Sequence, residues 1–193
     1  MSASAGTALV VIDLQVAIVD GEEPTYRRDE LLETVAGLLA EARKENVPVI
    51  FIQHTAAKYE PLLEGNPGWQ IHPAVAPLPG ERIIQKRAAD SFALTPLRSE
   101  LDALGITHIV VVGMQTDYCV DTTSRRAISL GYDVTLVADG HSTFDTEILS
   151  AEQIIAHTNA TLANLPHPQN EIVVKPASDV RFGAPVELLG ARR

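Results

Sequence analysis

Several features are scarce or absent in this sequence, and each absence excludes a class of protein. The 193 residues include one cysteine, so the chain cannot form an internal disulfide. No run of five or more basic residues occurs and the formal net charge is −10, which argues against nucleic acid or an anionic membrane as partner. No apolar run approaches the roughly 18 residues that span a bilayer, and residues 1–6 lack the regions of a signal peptide. We therefore expect a cytoplasmic protein.

The remaining composition is that of an ordinary globular domain. Hydrophobic residues make up 46% of the chain and charged residues 21%. A chain of this length favours a single domain, here residues 1–193, with one sizeable core. The tail from 166 to 193 has no clear period, and we expect it to pack on the body or on a partner subunit.

Apolar runs alternate with stretches of helical spacing along the chain. The runs predict strands at 8–12, 47–52, 81–85, 107–112, 134–137 and 172–174. The helical spacing predicts helices at 29–46, 96–104, 116–130 and 147–165, the last with Ile148 and Leu149 among its buried positions. This alternation predicts a mainly parallel sheet with helices on both faces. In such a sheet the site lies at the carboxyl ends of the strands.

Cys119 falls in the first turn of a predicted helix, just after the strand that ends at Val112. Thr116 and Asp117 are candidate N-caps of that helix. Unpaired N–H groups and a partial positive charge at a helix N-terminus favour the thiolate, which is the nucleophilic form of cysteine. The competing interpretation is a buried core cysteine.

Asp13 and Lys86 follow other predicted strands and should reach the same edge of the sheet as Cys119. Asp13 would accept the thiol proton, and Lys86 would keep Asp13 ionised. Backbone N–H groups of the loop 114–119 would stabilise a developing oxyanion. Each residue has a structural alternative, because Asp13 would also suit a loop cap and Lys86 a solvated surface position.

Three segments together carry a resemblance to a known family. They read LVVIDLQ at 9–15, KRAADSF at 86–92 and GMQTDYCV at 113–120. The set resembles the isochorismatase-like cysteine hydrolases, which include nicotinamidases, N-carbamoylsarcosine amidases, ureidoacrylate amidohydrolases and streptothricin hydrolases. The resemblance implies an α/β fold: a three-layer α-β-α sandwich with a mainly parallel six-stranded sheet, the Rossmann-like isochorismatase fold. It also implies a homodimer or higher homo-oligomer.

The resemblance assigns roles to individual residues. It implies an Asp13–Lys86–Cys119 triad that acts through a thioester, with the backbone N–H groups of Gln115 and Cys119 as oxyanion hole. It implies a non-proline cis peptide between Met114 and Gln115. The resemblance also places Phe92 at the site, and plain packing is the alternative for it and for three further candidates. Four side chains are therefore candidate substrate contacts, with the tryptophan as a candidate lid in the 56–80 loop: Gln15, Trp69, Phe92 and Tyr118.

Two departures from the family narrow the expected chemistry. The nicotinamidase branch carries an Asp-x-His metal motif after its second strand, whereas this chain has Gln53 and His54 there with no carboxylate. We therefore expect no metal and no cofactor, since a divalent ion normally needs several histidine or carboxylate ligands. The isochorismatase branch proper typically has glycine at the nucleophile position, so Cys119 favours hydrolysis of a C–N bond.

The sequence therefore predicts an amidohydrolase that cleaves a small amide, lactam or carbamoyl compound. Two alternatives stay open. One is an isochorismatase-type hydrolase of a vinyl ether, which would act through Asp13 without the cysteine. The other is a non-catalytic thiol sensor, in which Cys119 is a redox switch.

Overall fold

The computed structural model describes residues 6–23 and 25–182. Its strands are β1 (Thr7–Ile12), β2 (Val49–His54), β3 (Arg82–Lys86), β4 (His108–Met114), β5 (Asp133–Ser142) and β6 (Ile172–Lys175). Its α-helices are α1 (Val16–Val19), α2 (Arg28–Lys44), α3 (Leu97–Ala103), α4 (Asp121–Ser129) and α5 (Ala151–Ala163). A single π-turn, Thr116–Val120, precedes α4. No helix in these described ranges is long and apolar enough to cross a membrane.

The six strands form one sheet in the order β3-β2-β1-β4-β5-β6, and all neighbouring strands are parallel. This confirms the predicted α/β architecture. The strand order reverses between β1 and β4, where Ile12 lies opposite Gly113. A sheet of this kind opens a crevice at such a reversal, outside the carboxyl ends of the two strands.

Both faces of the sheet are covered, which explains the continuous apolar runs in its central strands. On one face Ala8, Val10 and Ile12 of β1 belong to a core shared with α3, α4 and α5. On the other face Leu9 and Val11 belong to a core shared with α2. Successive side chains of a strand point to opposite faces, so a strand buried on both sides carries apolar residues at consecutive positions.

Helix α2 agrees with its prediction to within two residues at each end. All six apolar positions of its stripe are buried: Leu31, Leu32, Val35, Leu38, Leu39 and Ala42. Asn46 lies beyond the helix in the left-handed region, with φ 57°. Val47 then donates its N–H to the Ala42 carbonyl, which satisfies one of the unpaired carbonyls of the last turn.

The start of α5 differs from the prediction. Ser150 is its N-cap. The Ser150 hydroxyl oxygen accepts the Gln153 N–H, and the side-chain oxygen of Gln153 accepts the Ser150 N–H. This capping box begins the helix at Ala151, four residues later than expected. Ile148 therefore lies before the helix and is 88% exposed, and Leu149 is also exposed. The prediction that these two residues are buried was wrong.

Strand β5 extends beyond the predicted 134–137 and runs to Ser142. Its pairing with β4 shifts register between Val111 and Gly113, so that His141 lies opposite Gly113 and Ser142 opposite Met114. The extension carries β5 to the crevice at the carboxyl edge.

The described part of the C-terminal tail packs on the body. It adds β6 to the sheet edge, and Val180 and Phe182 are buried in the core on the α2 side. The expected contact of the tail with the body is therefore observed up to Phe182. The rest of the predicted tail, 183–193, lies outside the described residues.

Candidate active site

Asp13, Lys86 and Cys119 converge at the carboxyl edge of the sheet. Asp13 directly follows β1, Lys86 ends β3, and Cys119 lies in the π-turn after β4. The Lys86 Nζ lies 2.7 Å from Oδ2 of Asp13. The same nitrogen donates to Sγ of Cys119 at 3.0 Å. The three residues predicted from separate strand ends therefore form one contiguous group.

Asp13 adopts a left-handed backbone with φ 50°, which aspartate tolerates better than most residues. Its side chain is 1% exposed. Oδ1 has no hydrogen-bond partner among the described residues. A loop-capping carboxylate would accept backbone N–H groups, and none within the described ranges reaches this one. The Asp13 side chain therefore does not cap a turn, and its contact is with the charged Lys86.

Lys86 is buried, which excludes the solvated surface position. The side chain is 0% exposed. Besides Asp13 and Cys119, the ammonium donates to the carbonyl of Ala88 at 3.0 Å and approaches that of Ala89 at 3.4 Å. A buried charge is tolerated only when it is paired and hydrogen-bonded, and this ammonium is both.

The ionisation of the three groups is coupled. Burial raises the pKa of Asp13, and the neighbouring ammonium opposes this only in part. Burial alone would lower the pKa of Lys86, but Asp13 and Cys119 outweigh it and raise that pKa. Burial, followed by the negative charge of Asp13, raises the pKa of Cys119 to about 12. At neutral pH Cys119 is therefore a thiol, and it lies beside the Lys86 ammonium and the Asp13 carboxyl group.

The expectation that a helix N-terminus favours the Cys119 thiolate was wrong. The residue lies in the π-turn, two residues before α4 begins at Asp121. Desolvation and the nearby carboxylate act more strongly on the thiol than a helix terminus, whose effect falls off within one turn.

The loop that carries Cys119 is held in place by the end of β5. The peptide between Met114 and Gln115 is cis, as the resemblance implied. Thr116 Oγ1 forms a hydrogen bond with Nδ1 of the buried His141 at 2.8 Å. Asp117 Oδ1 accepts the hydroxyl of Thr143 at 2.7 Å. Neither side chain caps the helix as predicted, because both are used for tertiary contacts.

Asp13 and Cys119 open into a cavity of about 720 Å³. The volume lies within the roughly 300–1,000 Å³ typical of small-molecule sites. Gln115 and Tyr118 also line it. The other lining residues are Ala17, Ile18, Gly21, Glu22, Glu23, His54, Tyr59, Leu62, Ala89, Met114, Asp117, Thr143, Phe144, Asp145 and Thr146.

Of the four predicted substrate contacts, only Tyr118 lines this cavity. Gln15 is fully buried and its side chain binds the backbone of two other segments. Its Nε2 donates to the carbonyls of His54 and Trp69, and its Oε1 accepts the His54 N–H. Trp69 donates its ring N–H to Thr55 at 3.0 Å, outside the cavity. Phe92 stacks in the core on Tyr132, with ring centroids 5.9 Å apart. The structure places these three as packing residues.

Several cavity residues were not predicted as substrate contacts. His54, at the end of β2, lines the cavity with a buried Nδ1 that has no partner in the described chain. Burial lowers its pKa, so the imidazole is neutral at pH 7. The sequence feature that could have identified His54 as a cavity residue is its position at the carboxyl end of a strand. Tyr59, Phe144 and the acidic residues lie in loops without periodicity, and no pattern in the chain marks them.

The described ranges contain no group of three or more histidine, cysteine or acidic side chains arranged to hold a metal ion. Gln53, which stands where the nicotinamidase motif has its carboxylate, is buried and donates to the Trp69 carbonyl at 2.9 Å. It is therefore engaged in the scaffold and not turned toward the cavity.

Comparison with known proteins agrees with this fold. An isochorismatase domain profile matches residues 7–163. A streptothricin hydrolase of Streptomyces noursei is 38% identical over 138 residues, covering 72% of this chain and 50% of the relative. Nicotinamidase 3 of Arabidopsis thaliana is 25% identical over 161 residues, covering 75% of this chain and 77% of the relative. The crystal structure of an isochorismatase from Pseudomonas putida matches with a TM-score of 0.80 and 30% identity, covering 92% of this chain and 91% of its own.

The chain spans about half the length of the two streptothricin hydrolases it matches, 50% and 55%. The profile, in contrast, covers nearly the whole of the sheet and its helices, from β1 to the end of α5. On this match the chain belongs to the isochorismatase family of hydrolases.

Proposed function

We propose that this protein is a cysteine amidohydrolase that cleaves the C–N bond of a small amide, lactam or carbamoyl compound. The observation that carries the proposal is the contact of one buried ammonium, Lys86, with both Asp13 and Cys119 at the base of a ligand-sized cavity. The names of two relatives, a streptothricin hydrolase and a nicotinamidase, support amide chemistry.

In the proposed first step Asp13 takes the proton of the Cys119 thiol. Its raised pKa suits it to hold that proton, and the ammonium of Lys86 stabilises the thiolate that forms. The sulfur attacks the substrate carbonyl carbon, and the electron pair of the C=O bond moves to oxygen. The backbone N–H groups of Gln115 and Cys119 are proposed to stabilise this oxyanion.

The tetrahedral intermediate then collapses to a thioester on Cys119. The C–N bond breaks, and Asp13 returns its proton to the departing nitrogen. In the second half Asp13 takes a proton from water, hydroxide attacks the thioester carbonyl, and the carboxylic product leaves. The sulfur regains its proton from Asp13, so the enzyme returns to its resting state.

The test is hydrolysis of a panel of amides, lactams and carbamoyl compounds by the wild type and by Cys119→Ala, each with and without a chelator. Ammonia release covers primary amides and carbamoyl groups, and mass spectrometry follows lactam opening. We expect turnover that depends on Cys119 and is unaffected by the chelator. Matching thermal unfolding curves would show that the variant is folded.

Other outcomes would replace the proposal. If both proteins hydrolyse isochorismate and neither hydrolyses any amide, the vinyl-ether reaction through Asp13 would be the function. If the chelator abolishes turnover, a metal acts at the site, and His54 would be its first candidate ligand. If no substrate is hydrolysed and peroxide oxidises Cys119 stoichiometrically, the thiol-sensor interpretation would stand.

A further inference from the structure

The charges that line the cavity are of one sign. Besides Asp13 at the base, four carboxylates line it, from the loop after α1, the π-turn and the loop before α5: Glu22, Glu23, Asp117 and Asp145. Among the residues that the structure describes, no lysine or arginine lines the cavity. None of the four forms an ion pair within the described chain, in which several other acidic residues do. At the base of the cavity, Lys86 is paired with Asp13, with Nζ 2.7 Å from Oδ2.

Two of these carboxylates are held in fixed positions. Asp117 accepts the Thr143 hydroxyl with Oδ1, and Asp145 accepts the Ala151 N–H with Oδ1 at 2.7 Å. Each is therefore oriented through one oxygen, while its second oxygen has no ion-pair partner in the described part of the chain. Glu22 and Glu23 are exposed. The entrance thus combines two oriented and two adaptable negative charges.

Tyrosine rings lie at the same entrance. Tyr59 is 53% exposed and Tyr118 is 58% exposed, and both line the cavity. Exposed aromatic faces attract cations through their quadrupole, and aromatic rings with carboxylates are a common combination for binding ammonium groups. An anionic ligand would meet neither a positive charge nor a favourable ring face here.

A separate feature, at the base of the cavity, indicates which chemical group the other end of the ligand carries. Asp13 lines the cavity, and its buried Oδ1 has no hydrogen-bond partner among the described residues. An unpaired buried acceptor is unfavourable, so this oxygen favours a ligand that brings an N–H donor. An amide nitrogen beside the reacting carbonyl supplies such a donor.

We propose that the substrate is a cationic amide, with its C–N bond at Cys119 and an ammonium or guanidinium group at the entrance formed by the four carboxylates and two tyrosines. This inference rests on the proposed amidohydrolase function and adds the substrate class. The negative cavity concentrates cationic molecules from solution and rejects anionic ones.

The test compares three amides of equal chain length. They are ε-aminocaproamide, which is a cation, heptanamide, which is neutral, and the monoamide of pimelic acid, which is an anion. Binding to Cys119→Ala is measured by calorimetry, so that the charge preference is read without turnover. We expect the cation to bind about tenfold more tightly than heptanamide, with the preference falling as salt is added.

Isosteric variants test whether the four carboxylates cause the preference for a cation. Asp117→Asn and Asp145→Asn keep the accepting oxygen, and Glu22→Gln with Glu23→Gln keeps the side-chain shape. Each should reduce the ratio of cation to neutral binding by up to about twofold per charge. The matched control, Glu33→Gln with Glu41→Gln, removes two exposed charges on α2, away from the cavity, and should leave the ratio unchanged.

The inference is overturned if the cation binds no more tightly than heptanamide, if neither binds, or if the monoamide binds best. It is also overturned if the α2 control changes the ratio as much as the cavity variants, since net charge alone would then explain it. Turnover of the same amides by the wild type separates the two claims. Cysteine-dependent hydrolysis without a charge preference would refute this inference and leave the proposed function standing.

Discussion

Gly113 lies against the backbone of Ile12, at the pair where β4 and β1 meet beside the site. A Cβ at Gly113 would overlap the carbonyl oxygen of Ile12, and the residue has φ +130°, which side chains rarely adopt. The close approach of these two strands brings the loop of Cys119 next to Asp13. The site therefore requires glycine at this position. The sequence had indicated that the strand ends before this glycine, whereas β4 continues through it.

Gly113→Ala should lower the free energy of unfolding by more than about 3 kcal/mol, because both steric overlap and backbone strain oppose it. Urea unfolding at equal protein concentration measures the change. Gly37→Ala is the matched control: Gly37 lies within α2 with open space around its Cβ position, and alanine there should stabilise by up to about 1 kcal/mol. Equal stability of the two variants would contradict the argument.

Lys86→Met should destabilise the protein in a pH-dependent way. The change removes the charge that opposes the effect of burial, so the pKa of Asp13 rises further. A carboxyl with a higher pKa when folded than when unfolded loses stability as the pH rises between the two values. The deficit should reach about 3–5 kcal/mol at pH 8 and be smaller at pH 5.

Chemical unfolding of Lys86→Met at both pH values tests this expectation. Lys44→Met serves as control, because Lys44 is exposed at the end of α2 and should show no comparable pH dependence. A deficit of the same size at pH 5 and pH 8 would mean that lost packing, and not the charge of Asp13, is responsible.

Asp13→Asn should make the only cysteine more reactive while abolishing hydrolysis. The carboxylate is one of the causes that raise the pKa of Cys119, so its neutralisation lowers that pKa and increases the thiolate fraction at pH 8. We expect iodoacetamide to alkylate the variant about tenfold faster than the wild type. The rate is followed by mass spectrometry, and Cys119→Ser defines the background. Slower alkylation of Asp13→Asn would contradict the electrostatic assignment.

Gln15→Ala should lower the stability of the protein, and any loss of activity should follow from that loss of stability. The change leaves three buried backbone groups of His54 and Trp69 without their partner. Unpaired buried groups of this kind cost about 1–3 kcal/mol each, so a loss of several kcal/mol is expected in thermal unfolding. Gln169→Ala, at an exposed position, is the control. A normal melting temperature with a raised KM would restore Gln15 as a substrate contact.

The sheet, α2 and the reactive group were all predictable from the sequence, because their signals are local. A run such as Ala8 to Ile12 is apolar because both faces of the strand are covered. Residues that directly follow such runs must lie at the carboxyl edge of a parallel sheet. Asp13, Lys86 and Cys119 could therefore be grouped without knowledge of the loops.

The tertiary structure decided what surrounds that group. Phe92 and Tyr118 look equivalent in the sequence, yet one stacks in the core and the other lies at the cavity entrance. Thr116 and Asp117 are typical helix-capping residues, but their side chains contact His141 of β5 and Thr143 just after it. The acidity of the cavity arises from loops that are far apart in the chain and carry no periodicity. Sequence alone determined which residues lie together at the sheet edge, because strand ends are local features. The meeting of distant loops determined how deeply these residues are buried and which charges surround the cavity.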